Sequence, residues 1–387
     1  MTYSKYLLLV GVVWALASCQ REDKPLDVPE EGTPIELSAS SEWPTFTKGL
    51  ISDLNDLIGN GFVVWSSWTE AFTQNANSNA PVFNTYGTKV NAVDSDENGV
   101  FNTAQGDRWV YSPMKFWHDG FYTFAALLPA TSFDTQKSTS KLVAVHDGNI
   151  TGTATSPVYN SRLILDGTLT LGGVGSSNFT LADQVDLMYA FEDVEYSSTA
   201  TNTTSSVSFN FKHLWAQLEL KFVSDEPNSK SIKISEVKIY GISNVICFDE
   251  DFILTSDETN NIEGIRSALR KKDKSTSSEP FASFTSSTSV NPDKWYVGVD
   301  DPNNTDDDPV SLVSGLMVFP ISLSDMPVTV EVTYGNGKTL TGEIKTGNWV
   351  SGSRYVYTFT LGANSINFGE PTVTGWAGRT DINVDIE

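Results

Sequence analysis

Strict alternation of apolar and polar residues, in Val328-Thr-Val-Glu-Val-Thr-Tyr334 and Tyr355-Val-Tyr-Thr-Phe-Thr-Leu361, limits this chain more than any other feature. A period of two puts every apolar side chain on one face of an extended strand, whereas a helix would scatter the same residues around its axis. Gly335-Asn-Gly337 follows the first run and predicts a hairpin into Lys338-Thr-Leu340 and Ile344. The same period recurs in Ile35-Glu-Leu37-Ser-Ala39, in Val207-Ser-Phe209-Asn-Phe211 and in Ala216-Gln-Leu218-Glu-Leu220-Lys-Phe222. It recurs again at the chain end, where Ile382, Val384 and Ile386 share a face. A terminal strand with one apolar face needs a groove, in its own domain or in a neighbour. Phe62-Val-Val-Trp65 and Phe121 to Leu128 are continuous apolar strands, and Pro129 stops the second. Leu181 to Ala190, with Asp183 as cap, is the best short-helix candidate. The loops Arg266 to Lys274 (basic) and Asp300 to Pro309 (acidic) read as solvated insertions. The expected fold class is all-β, built of β-sandwiches.

At 387 residues the chain predicts two domains. Tyr196 to Ser206 is low in complexity and carries no apolar anchor after its tyrosine, so the boundary is placed there. This gives a first domain over 35–198 and a second over 205–387. Aspartate and glutamate outnumber lysine and arginine 48 to 25, a formal net charge of -23, which makes nucleic acid and anionic membrane poor partners. Lys5 and the apolar run Tyr6 to Ala17 form a leader too short to span a bilayer. It ends in Leu16-Ala-Ser-Cys19, a lipobox-like sequence. Residues 1–18 are therefore read as a lipoprotein signal peptide, Cys19 as the lipidated residue, and 19–34 as an acidic tether on an outward-facing protein. Cys247 is the only other cysteine and excludes a disulfide in the acylated chain; its apolar neighbours predict a buried thiol.

Catalytic chemistry finds little support. His118, His146 and His213 are widely spaced, with no Cys/His cluster and no Gly-x-Ser-x-Gly elbow. Gly337-Lys-Thr339 imitates a phosphate loop in a hairpin context and is rejected. Asp94-x-Asp96-x-Asn98-Gly99 matches half of a calcium loop, but Gln105 replaces the bidentate glutamate, so an Asn-Gly turn is the reading. No metal or cofactor is expected. Trp68 and Trp117 are the tryptophans expected to be exposed, and they could stack on sugar rings. Lys48 lies where a trypsin-like protease could cut to free Gly49.

These pieces resemble the fimbrillin family, the lipoprotein subunits of type V pili in Bacteroidota. The likeness rests on the lipobox, Val185-Asp-Leu-Met-Tyr-Ala190, Val207 to His213 followed by Ala216-Gln-Leu218, and the ending from Gly347-Asn-Trp-Val-Ser-Gly-Ser-Arg-Tyr355 to Trp376. The resemblance implies two sandwich domains of transthyretin-like Greek-key topology and a chain exported as a lipoprotein. Cleavage after a basic residue, here Lys48, would remove the strand Ile35 to Ala39. The uncovered groove would take an extended strand from another subunit, with Ile382, Val384 and Ile386 as donor side chains. The implied function is a surface pilus subunit (stalk, tip or anchor) that partners other subunits and, through its lipid, the outer membrane; host protein or glycan is a further partner. Arginine is the commoner processing residue in the family. The rival reading is a monomeric surface glycan-binding lipoprotein.

Overall fold

The computed structural model describes residues 32–40, 59–70, 80–95, 97, 102–137, 141–171, 181, 184–200, 206–225, 232–243, 245–248, 252–272, 280–286, 295–297, 309–362 and 364–375. In chain order the first half carries β1 (Glu36–Ser40), β2 (Phe62–Thr69), β3 (Ala80–Pro81), β4 (Thr88–Val93), β5 (Arg108–Val110), β6 (Gly120–Leu128), β7 (Val143–Thr153), β8 (Ser156–Thr170) and β9 (Met188–Tyr196). Then come β10 (Ser206–Asn210), β11 (Lys212–His213), β12 (Ala216–Ser224), β13 (Ile232–Tyr240), β14 (Val245–Phe248), β15 (Ile253–Thr255) and the helix α1 (Glu258–Lys272). The chain continues through β16 (Ala282–Thr285), β17 (Tyr296–Val297), β18 (Val310–Val318), β19 (Val328–Tyr334), β20 (Thr339–Ile344), β21 (Ser353–Leu361), β22 (Ile366–Phe368) and β23 (Thr372–Gly375). The described residues from Thr33 onward gather into one compact unit, and their architecture is all-β, with several packed sheets and one long helix.

The first sheet runs β11-β9-β6-β2-β4-β5, with β3 on β2. Its middle strands are covered on both faces, which is why β6 reads as an unbroken apolar run: every residue of Gly120–Leu128 is buried. Val63, Trp65, Ala125, Leu127 and Tyr189 face a large core shared with the second half. Phe62, Val64, Phe124, Ala126 and Met188 face a smaller, aromatic-rich core. The long antiparallel hairpin β7–β8 covers the first of these faces, contributing Ala144, Leu163 and Leu165. Its outer strand also pairs with β14 and β15 from the second half. Gly148 of the hairpin sits so close to the sheet that a Cβ there would lie 2.4 Å from Thr123 Oγ1 and 2.8 Å from Ser67 Oγ. His146 bridges the same seam, its Nε2 2.8 Å from Ser161 Oγ and its Nδ1 3.4 Å from Ser67 Oγ. Burial pushes its imidazole down to about 4, against a weaker opposing pull from Asp147.

In the second half, β18-β12-β21-β22 and β16-β13-β19-β20 form two sheets whose inward side chains share the large core. The two alternating runs behave as written: β19 and β21 bury every second residue, Val328 to Tyr334 and Tyr355 to Leu361. The predicted hairpin closes at Gly337 (φ 84°), with Gly337 N–H donating to Tyr334 O at 2.9 Å. Polar groups tie the halves together. Gln184 reaches the edge of β18 as if it were a strand, donating to Met317 O and accepting from Met317 N–H, both at 2.9 Å. Asp186 and His213 pair at 3.0 Å with both side chains buried, and Trp215 Nε1 donates to Val185 O at 3.0 Å.

Several expectations change. The helix is not at Leu181 to Ala190: Met188, Tyr189 and Ala190 open β9, laddered to Leu128, Leu127 and Ala126 of β6 and claimed by cores on both faces. It is at Glu258–Lys272, so the stretch from Arg266 is helical and not a basic loop. Asp257 Oδ1 accepts from Thr259 N–H at 2.9 Å. Buried Asn261 bonds both the N–H and the C=O of Thr255 at 2.8 Å, and Ile265, Ala268 and Leu269 complete the inward stripe. Cys247 is half-buried beside Thr168, because the alternation of β14 turns Ile246 and Phe248 inward instead.

Two measurements test these contacts. Asp186→Ala breaks a buried pair and is expected to lower unfolding free energy by about 3 kcal/mol in urea titration. His146 in the folded state holds its proton only below about 4, against 6.5 for an ordinary imidazole. Its contribution is therefore full above pH 6.5, declines as pH falls through that window and is lost below about 4. The His146→Gln variant should lose this part of the pH slope of Tm relative to the parent.

Candidate functional site

Ile35 and Leu37 are 1% and 6% exposed, while Glu36 between them faces solvent. They enter the smaller core in line with Ala39, as the period of two requires, over Phe62, Val64 and Phe124 and beside Val207 and Phe209. Phe62 meets Trp109, Phe209 and Phe211 edge-on at 5.2 to 5.7 Å, so this floor is a set of interlocked rings. Burying two such side chains contributes roughly 1.5–3 kcal/mol each.

The backbone of this segment is held on two sides. Residues 36–40 lie parallel to β10, Glu36 opposite Ser206 and Ser40 opposite Asn210. Just before them, Ile35 N–H donates to Lys115 O and Trp117 N–H to Thr33 O, both at 2.9 Å, and Pro34 bridges Phe116. Tyr111 donates its hydroxyl to Ile35 O at 2.7 Å. Burial pushes that phenol up to about 12, so it remains a neutral donor at physiological pH. The result is a strand lying in a groove, laddered to β10 far along the chain and not to its sequence neighbours.

At the other end, β22 and β23 both lie along β21, and Gly375 finishes opposite Ser353. Cys19, Lys48, Ile382, Val384 and Ile386 lie outside the described residues, as do Trp376 and the acidic loop before Pro309.

The remaining candidates fall on ordered structure. Trp117, expected to be exposed, is 5% exposed: it stacks on Tyr196 at 5.0 Å and meets Tyr122 edge-on, one more ring of the small core. Trp68 is half-buried, with its indole N–H donating to Asp119 O at 3.3 Å and its ring 5.7 Å from that of His118. Gly120 (φ 144°) is what lets the ring settle, since a Cβ there would lie 2.6 Å from Trp68 Nε1. Around the half-matched calcium loop, Asp107 takes Ser95 N–H at 2.6 Å and Asn102 N–H at 2.7 Å, so a carboxylate closes the turn. Gln105 accepts from Asn102 Nδ2 at 3.1 Å. No cluster of three His, Cys, Asp or Glu suited to a metal occurs among the described residues. None of their helices is long and apolar enough to cross a membrane.

The sequence pattern described as fimbrillin-like matches residues 67–376. No curated sequence matches. Among solved structures, a fimbrial assembly protein from Parabacteroides distasonis is 11% identical, with 88% of this chain and 98% of that one covered and a TM-score of 0.44. The tip fimbrial protein Mfa3 from Porphyromonas gingivalis, truncated at its C terminus, is 9% identical, with 89% and 100% covered and a TM-score of 0.38.

The groove makes its own prediction. Leu37→Ala should cost about 2–5 kcal/mol in chemical denaturation, the usual range for a buried leucine. Glu36→Ala, exposed on the same strand, should leave the midpoint unchanged.

Proposed function

The chain belongs to the fimbrillin-like family, and we propose that it is a cell-surface pilus subunit assembling by donor-strand exchange. The single observation that supports this reading is the seating of β1. It contributes two buried side chains and a parallel ladder to a groove whose other walls come from distant parts of the chain. In this reading Cys19 carries the lipid, and a protease cuts after Lys48, leaving β1 on a peptide with no covalent link to the remainder. Departure of that peptide would uncover Phe62, Val64 and Phe209.

The incoming strand must then offer side chains at the same spacing. Ile382, Val384 and Ile386 have the period of Ile35, Leu37 and Ala39, about 6.6 Å between successive members. In the same register they would place a branched side chain where Ala39 now sits, and exchange would then bury more apolar surface there than it gives up. The domains would be two sandwiches of transthyretin-like Greek-key topology, over 35–198 and 205–387. A subunit that is not cut would keep its lipid and serve as the anchor.

Limited trypsin digestion of residues 20–387, with N-terminal sequencing and unheated SDS gels, tests the proposal. The expected result is a new terminus at Gly49 with an SDS-resistant, heat-labile ladder that disappears when the chain is truncated after Gly375. Complete cleavage after Lys48 with monomer alone would falsify strand exchange.

A further inference from the structure

We propose that the cleft between the first sheet, the β7–β8 hairpin and the start of α1 binds a neutral oligosaccharide. The cleft encloses about 940 Å³, at the upper end of the roughly 300–1,000 Å³ common for small-molecule sites. Four segments converge on it: β2 from Trp65 to Ser67, the stretch from Pro81 to Thr85, the hairpin from His146 to Arg162, and the turn from Thr255 into the helix.

Its charges are already used internally. Arg162 directs Nε and Nη2 at Asp147 Oδ2, at 2.8 and 2.5 Å. Asp257 accepts from Thr259 N–H and from Asn260 Nδ2 at 3.0 Å, so the positive end of the helix dipole already has its anion. His146 is neutral near pH 7 and lies between two serine hydroxyls. An anionic or cationic ligand would have to compete with these pairs, in a chain whose formal net charge is -23. A neutral one would not.

What the cleft presents instead is amide and hydroxyl. Asn149 and Asn160 stand opposite each other in the hairpin register, both exposed and both lining the cleft. Each amide can donate and accept at once, which suits adjacent sugar hydroxyls. Tyr159, half-buried, supplies a ring that a sugar face can cover. On the inner wall Trp65 is 2% exposed, and its indole N–H has no partner among the described residues. The ring is locked by Gly87, where a Cβ would lie 2.6 Å from Trp65 Cε2.

This site is separate from the groove under β1 and stands whether or not the chain polymerises; ladder formation and sugar retention are read independently. The test uses residues 20–387 over immobilised neutral oligosaccharides ending in galactose, mannose or N-acetylglucosamine, alongside sialylated and sulfated counterparts. The expected result is retention of at least one neutral probe, at least ten-fold weaker binding of its charged counterpart, and at least ten-fold loss with Tyr159→Ala or the double variant Asn149→Ala/Asn160→Ala at unchanged Tm. Trp68→Ala should bind as the parent does. The proposal is overturned if no neutral probe is retained at millimolar concentration, if the charged counterparts bind as well, or if retention survives the cleft variants. Loss with Trp68→Ala alone would overturn it as well.

Discussion

Burial of β6 on both faces is the constraint from which the first half of this protein follows. A strand with nine buried residues in succession needs a cover on each side. The β7–β8 hairpin provides one, reaching close enough that Gly148 admits no side chain. The other is assembled from β1, β10 and a group of aromatic rings around Phe62 and Trp117. That second cover is not a continuous sheet laid down by neighbouring segments. It is made by pieces from widely separated parts of the chain, β1 and β10 among them.

The second half obeys a simpler rule: two sheets, one buried face each, and alternation along every strand. The halves are joined by the large apolar core they share, by the ladders of β14 and β15 on β8, and by buried polar groups with defined partners. Gln184 completes the backbone bonding of Met317, Asp186 meets His213, and the Trp215 indole meets Val185 O. Each is directional and costly to leave unmade in a dry interior, so together they set how β9 and β11 meet β12 and β18. The Val185 to Ala190 stretch that carried part of the family resemblance therefore has a physical role at the junction.

What could be read in the residues tracks how local the governing interaction is. The hairpin at Gly337 and the strands β10, β12, β19 and β21 were legible because period and turn chemistry lie within ten residues. The helix α1 was not. Its inward stripe mixes Asn261 and Ala268 with Ile265 and Leu269 and runs into Arg270-Lys-Lys272, so its apolar signal is thin, although Asp257 was available as a capping signal. Trp117 was misjudged as exposed because His118-Asp119-Gly120 beside it resembles a surface turn; stacking on Tyr196, about eighty residues away, buries it. The β7–β8 hairpin and the cleft beside it had no sequence signal, since Ser67, His146, Asn160 and Asp257 become neighbours only through the fold.

By itself the sequence determined the fold class, the strand period, the positions of the sharpest turn and of most strands, and membership of a family, because each depends on short-range pattern or on motifs read in order. Tertiary structure alone decided which strand lies beside which. The parallel pairing of β1 with β10 spans about 170 positions, and nothing in Ile35 to Ala39 specifies whether its partner is near or far. It also decided which polar groups meet in the interior and which aromatic rings are covered. Alternation chooses a face, but only the packing of both layers determines what that face touches.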